Sequence, residues 1–384
     1  MPKNGKYRKI FAILLNSHYI GDIILQGDCF SLSDNIRRQN YKGDTLHMAD
    51  DKNFITYNQQ MRKLRNDKHI DCSGPKNKQI LIRMGYFNIV NGYKTPFTCG
   101  VDSNGDHVYL PNTSLEYLYK LKNFDDDLRL FLLKYITQIE EEVRTLTGYK
   151  FDQSNCDGKI PWYDANAYSP NSRLQSRMNA ISSAYSELSS SKLDYVKFYM
   201  DNHSSIPTWI MIKVVNFSTF INILQNSKTV VTHSLCQLYN MMDSNGKPNV
   251  KLLIGSLHWL RKVRNSCAHN ERIFCIHQSS DTTRRNNGRI IENYISSLQP
   301  SYSRDSDKRI FDLLVYFKYY LPDKEYKEMM SIFQQMLINL QSNISANAFD
   351  NIRGQMGIKN LADLETLKGL PKMPILYNRF GKFV

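Results

Sequence analysis

The stretch DDDLRLFLLKYITQIEEEVRTLTG, Asp125–Gly148, decides the fold class. Leu128, Phe131, Leu132, Tyr135, Ile136, Ile139, Val143 and Leu146 recur at helical spacing, so one stripe of a long helix is apolar and must be buried. The run Asp125, Asp126 and Asp127 suits a helix N-terminus, where carboxylates cap free amides and meet the positive end of the macrodipole, and Gly148 supplies a stop. Glu140, Glu141 and Glu142 fall on the polar side. The two acidic triplets read as a solvated helix start and a solvated helix face, because no histidine or cysteine accompanies them to make a metal site.

Working outward, the same period recurs and strand patterns do not. A short helix is expected over Thr56–Leu64, a second apolar stretch over Gln79–Val90 after Gly74-Pro75, and a hairpin near Phe97–Tyr109 turning at Asn104-Gly105. Residues 149–194 are poor in aliphatics and rich in Ser and Asn, which predicts loops or an irregular insertion. Pro207 is expected to open a helix through Leu224, and further helices follow near Val230–Met242, from Val250 toward His269, over Ser306–Tyr320 and over Asp323–Leu340. The fold class is mainly α, with additional helices around a bundle and one small β-hairpin. Residues 1–52 show no sustained period and form an N-terminal segment, 53–280 a helical core, and 281–384 a basic loop and helical extension with a tail.

The chain has 50 Lys and Arg against 36 Asp and Glu, a formal charge of +14. That charge divides as +8 over residues 1–100, −2 over 101–250 and +8 over 251–384, so both ends favour a polyanion. Seven scattered cysteines without a C-x-x-C pair indicate neither a disulfide framework nor a zinc ribbon, and a reducing cytoplasm fits. Lys3, Lys6, Arg8 and Lys9 before Ile10–Leu15 imitate a signal peptide, but the apolar run is shorter than the roughly 7–15 residues of a secretory h-region. No run approaches the roughly 20 apolar residues of a membrane span. The phosphate-loop, zinc-protease and hydrolase-elbow motifs are all absent.

What remains is Arg264-Asn265-Ser266-Cys267-Ala268-His269, at the end of the stripe Val250, Leu253, Ile254, Leu257 and Leu260. On a helix, Asn265 and His269 share one face roughly 5–6 Å apart, Arg261 extends that row one turn back, and Arg264 is long enough to bend toward the same spot. A guanidinium, an amide and an imidazole that titrates near neutrality equip one phosphate-sized site for metal-free RNA cleavage. The same residues also suit the C-terminal end of a helix, where cations are favourable by about 0.3–1 kcal/mol. Spacing alone leaves both readings open.

The wider sequence adds a resemblance. LHWLRKVRNSCAHNERIF, Leu257–Phe274, resembles the R-N-x-x-x-H signature of HEPN-superfamily ribonucleases in the form found in abortive-infection Abi proteins of the AbiD and AbiF type. The segments at Tyr57–Ile70, Met84–Phe97, Phe124–Arg144 and Pro207–Phe220 follow in that family's order, so the likeness spans about Tyr57–His277. It implies a HEPN-type helical bundle, an endoribonuclease of phage defence with no cofactor or metal, and a site built from two chains of a homodimer. By the same resemblance Arg264 would stabilise the phosphorane, Asn265 would orient the pocket, and His269 would act as general acid or base. Phe274 and Cys275 depart from the Trp-Asn pair common in the family. Restraint by an antitoxin is expected, and a small noncoding RNA on the basic surface is a candidate. A non-catalytic RNA-binding or scaffold protein is the alternative.

Arg261, Arg272, Arg284, Arg285 and Arg289 are the expected RNA contacts; the last three fall in a basic stretch that reads either as a solvated loop or as a phosphate-binding flap beside the site. Asn91, Gly92, Tyr93 and Lys94 are expected to form a tight packed turn, and Cys267 a small packed residue and not a nucleophile. The nearest other histidines are His258 and His277, so the second imidazole of a two-step proton transfer is expected from a symmetry mate, with Leu253–Leu260 or its flank at the interface.

Overall fold

One helix of 40 residues, α3 (Leu115–Ser154), is the central spine of the fold. At 1.5 Å per residue it is about 60 Å long, and buried side chains run from Leu115 to Phe151. In this computed structural model, residues 54–103, 105–243, 245–278 and 308–370 are described. The expectations for residues 1–52 and for Arg284, Arg285 and Arg289 lie outside them.

Before the spine come α1 (Tyr57–Asn66) and α2 (Gly74–Met84), a five-residue π-helix at Phe87–Asn91, and a two-stranded antiparallel ribbon, β1 (Thr98–Val101) with β2 (His107–Tyr109). Helix α1 starts where a capping box permits it: Gln59 N–H donates to the Thr56 hydroxyl, and Thr56 N–H donates to Gln59 Oε1. The hairpin register pairs Thr98 with Tyr109 and Val101 with His107, across a bulge between Thr98 and Gly100.

Two expectations for the spine fail. It begins ten residues before Asp125, where the Ser114 hydroxyl accepts from Tyr117 N–H, and it runs through Gly148. An acidic triplet marks a helix start only when nothing nearer caps the free amides, and Ser114 does so first. Gly148 sits inside the helix with Ile212 next to it: a Cβ built there would meet Ile212 Cγ2 at 3.6 Å, an ordinary contact. The triplets are not simply solvated either. Asp126, Asp127, Glu141 and Glu142 keep solvent contact, but Asp125 and Glu140 are buried.

The Ser-rich insertion is not irregular throughout. It holds α4 (Leu174–Ser189), whose narrow buried stripe is Ala180, Ala184 and Leu188. Small side chains let this helix lie close to its neighbours, and a stripe of alanines is invisible to a search for aliphatics. After α5 (Asp194–Asn202) the expected single helix from Pro207 is two, α6 (Thr208–Val214) and α7 (Phe217–Asn226). The chain breaks because Asn216 caps α7, its side chain accepting from Thr219 N–H at 2.9 Å, while Pro207 serves as the N-cap of α6.

Helices α8 (Thr229–Leu238) and α9 (Val250–Ala268) pack on the spine together with α6. The C-terminal residues supply α10 (Ile310–Tyr320), α11 (Asp323–Gln341), α12 (Ala346–Gln355) and α13 (Leu361–Gly369). Every residue of α10 is buried, and the Tyr320 and Ser256 hydroxyls share a hydrogen bond of 2.7 Å between α10 and α9. The described residues from 55 to 370 form one compact unit. The fold is mainly helical with one small hairpin, as the periodicity predicts, and no helix among the described residues is long and apolar enough to cross a membrane.

Gly148→Ala is expected to raise stability by about 0.5–1 kcal/mol, because a mid-helix glycine costs that much relative to alanine and the new methyl meets Ile212 at ordinary contact distance. Urea titration checks it; a loss of stability would mean that Gly148 ends the helix after all.

Candidate functional site

The motif gains its position from the burial of the helix that carries it. Asn249 caps α9 by accepting from Leu252 N–H at 3.0 Å, and Leu252, Leu253, Ser256, Leu257, Trp259, Leu260, Val263, Ser266 and Cys267 face inward. The stripe Leu253–Leu260 is therefore consumed inside the chain and is not available as a subunit interface. The less buried row of α9 is Ile254, His258, Arg261, Asn265 and His269, at helical spacing.

Arg264, Asn265 and His269 all reach the surface at the C-terminal end of α9. Arg264 is half-buried, and Asn265 and His269 are exposed. Arg264 Nη1 donates to Asn265 Oδ1 at 3.3 Å, and its Nε lies 3.7 Å from Glu140 Oε2 on the spine. Glu140 Oε1 in turn accepts from Arg144 Nε at 3.0 Å and Nη2 at 2.7 Å, and Arg144 Nη1 donates to the Ile212 carbonyl at 2.6 Å. Arg144 also stacks over the rings of Phe217 and Phe220. One carboxylate thus holds two guanidiniums, and the group keeps a net charge of +1 with Arg264 at its exposed end. Sequence reasoning missed Glu140. The signal was available as E-x-x-x-R one turn apart, but a pair at that spacing is also common on solvated helix faces.

His269 is the C-cap of α9, and the chain leaves through a Schellman turn. Asn270 takes the left-handed conformation at φ 59°, its N–H donates to the Cys267 carbonyl, and Glu271 N–H donates to the Ser266 carbonyl. The Ser266 hydroxyl closes the turn on Glu271 Oε2 at 2.6 Å. The geometry of the capping reading is therefore present, with an exposed imidazole on the same face as Asn265.

The chain beyond His269 is clamped to the spine. Asp125 Oδ1 accepts from Ile273 N–H at 3.0 Å and Phe274 N–H at 2.8 Å, and its Oδ2 accepts from Arg129 at 2.8 Å and the Tyr93 hydroxyl at 3.0 Å. Burial pushes the Asp125 carboxyl up, and these four donors pull against that. Burial, reinforced by the Asp125 charge, raises the Tyr93 phenol, so Tyr93 stays a donor. Arg129 Nη1 also donates to the Glu271 carbonyl at 2.9 Å.

Arg272, an expected RNA contact, donates to the Gly92 carbonyl at 2.6 Å, and Arg261, the other described one, donates to the Ser218 hydroxyl at 2.5 Å. Both are partly buried and already hold protein partners. The segment Asn91–Lys94, expected as a tight packed turn, is helical through Tyr93, and Tyr93 is the one of the four that is buried, stacked on Phe274 with centroids 6.0 Å apart. Phe274 is buried in that contact, so it acts in packing. Lys262 Nζ donates to the His277 carbonyl at 2.8 Å, fixing the far end of the loop. Among the described residues no group of histidine, cysteine and acidic side chains is arranged to hold a metal ion.

Cys267 is buried one turn from Arg264, and burial pushes its thiol up to about 12. Alkylation of native protein near pH 8 is expected to label exposed Cys99 and Cys156 and to spare Cys267, as peptide mass mapping would show. Glu140→Ala is expected to cost about 3–5 kcal/mol in a urea titration, since it leaves buried Arg144 without its carboxylate. A cost below about 1 kcal/mol would mean that the pair is effectively solvated.

Neither a curated protein nor a solved structure gives a significant match to this chain. A family model described as Abi-like protein matches residues 79–275, from the second turn of α2 through the spine and the motif to the clamped loop. That match covers half of the chain and includes Glu140, Arg264, Asn265 and His269, so the chain belongs to the Abi-like protein family, whose name associates it with abortive infection and defence against phage.

Proposed function

We propose that this protein is a HEPN-type endoribonuclease of phage defence, cutting RNA by attack of a ribose 2′-hydroxyl on the adjacent phosphate. The observation that carries the reading is the exposed face of Arg264, Asn265 and His269, with Arg264 tied to Glu140. In the reaction a base takes the 2′-hydroxyl proton, the 2′-oxygen bonds to phosphorus, and the 5′-oxygen leaves with a proton from an acid. The products are a 2′,3′-cyclic phosphate and a free 5′-hydroxyl. Arg264 faces the charge that builds on the phosphoryl oxygens, Asn265 orients them, and His269 moves one proton.

A second proton-transfer group must come from elsewhere. A homodimer about the row Ile254, His258, Arg261, Asn265 and His269 supplies the His269 of a second copy and pairs two faces that the monomer leaves partly open. A free ribonuclease would damage its host, so the activity is held by an antitoxin, and the basic ends of the chain suit a small noncoding RNA in that role. One geometric fact favours a non-catalytic RNA-binding scaffold: His269 stands at a helix C-cap and Arg264 in an ion pair, where both also serve the fold.

His269→Ala and Arg264→Ala are each expected to lower the cleavage rate on single-stranded RNA in the presence of EDTA by about 100-fold or more, with unchanged helical content. A loss below tenfold, or unfolding of either variant, would favour the scaffold.

A further inference from the structure

A second concentration of positive charge among the described residues lies away from the motif. Tyr57–Lys94, which spans α1, α2 and the π-helix, carries eight Lys and Arg against two Asp and no Glu, where the whole chain has 50 against 36. Arg62 and Lys63 on α1 and Lys76 and Arg83 on α2 are exposed. Lys76 and Arg83 are seven apart and so share one face of α2. Lys76 pairs with Glu116 at 3.0 Å, and no carboxylate among the described residues lies within ion-pair distance of Arg62, Lys63 or Arg83. Like charges this close repel, and stability alone would intersperse acids among them, as elsewhere in the chain.

The segment that carries these cations is hydrogen-bonded to the loop after the motif and to the spine. Its C-terminal end is the segment that receives Arg272 at the Gly92 carbonyl and sends the Tyr93 hydroxyl to Asp125, the carboxylate that holds Ile273 and Phe274. Phe87, at the start of the π-helix, and Tyr57, at the start of α1, are exposed aromatic rings of the same segment. A phosphate backbone matches cations spread along a helical pair with exposed Tyr57 and Phe87 as rings for base stacking, whereas an apolar partner would find only one large exposed aliphatic side chain in this segment, Ile82.

We propose that the α1–α2 pair is a docking surface for the RNA backbone, separate from the cleavage face, with Arg62, Lys63 and Arg83 as its principal phosphate contacts. This rests on the reading of the protein as RNA-directed. The surface sets affinity and leaves the chemistry to Arg264, Asn265 and His269.

The test uses the full chain and its triple variant Arg62→Gln, Lys63→Gln, Arg83→Gln, whose exposed substitutions preserve helix propensity. Binding to labelled 2′-O-methyl RNA, which lacks the attacking hydroxyl, is followed by anisotropy between low and physiological salt. The expected result is a plot of log affinity against log salt shallower by about 2, weaker binding by at least tenfold at physiological salt, and kcat on ordinary RNA within twofold of wild type. Equal slopes and affinities would overturn the proposal, as would loss of binding to phosphatidylserine vesicles with RNA binding intact. If the wild-type chain binds RNA through this patch but cuts none, the surface stands and the ribonuclease reading falls. If it binds no RNA, both fall.

Discussion

The buried carboxylate of Asp125 is the constraint on which the placement of the motif depends. It accepts four hydrogen bonds, from Ile273, Phe274, Arg129 and Tyr93, and so joins the spine, the loop after His269 and the segment after the π-helix at one point. A carboxylate without water is costly unless its lone pairs are occupied and a countercharge is near, and here both conditions are met. The arrangement is specific because its donors come from three parts of the chain: Arg129 on the spine, the adjacent amides of Ile273 and Phe274, and Tyr93. A loop that satisfies two amides on Asp125 while Arg129 holds the Glu271 carbonyl has little freedom to move the imidazole that precedes it.

The second buried carboxylate, Glu140, stands four turns further along the same helix and works differently. It faces two arginines, one locked against Phe217, Phe220 and the Ile212 carbonyl, the other reaching the surface. The inner arginine stabilises the carboxylate at its buried end, and the outer one keeps a free side toward solvent. The spine therefore carries both devices, one for the histidine end of the motif and one for the arginine end. One continuous helix spaces them, since 15 residues at 1.5 Å per residue set Asp125 and Glu140 about 22 Å apart along its axis.

The C-terminal residues are part of this arrangement. Helix α10 is buried on all sides, which only a central position allows, and its Tyr320 meets Ser256 on the helix that carries the motif. The basic α1–α2 pair lies toward the other end of the sequence and reaches the motif through Gly92 and Tyr93. Distant parts of the chain thus support one short exposed face, and the face itself contributes little to the core.

The sequence by itself determined the helical class, the hairpin, the identity of the motif and its place at the end of an apolar helix, because each is written in local periodicity or in spacing along one element. Leu128 to Leu146 could only be a buried stripe, and Asn265 and His269 could only share a face if helical. The tertiary structure alone decided where the spine begins, that Gly148 lies within it, and that Asp125 and Glu140 are buried while their neighbours stay wet. It also decided that alanines in a Ser-rich stretch form a packing face, and that the stripe Leu253–Leu260 is closed to a partner. Those outcomes depend on which distant side chain arrives: Ile212 beside Gly148, the Ile273 and Phe274 amides at Asp125, Arg264 at Glu140. A charge on a helix looks the same in sequence whether water or a guanidinium faces it, and only the packed chain supplies the difference in dielectric and partner that makes one residue a surface group and another an anchor.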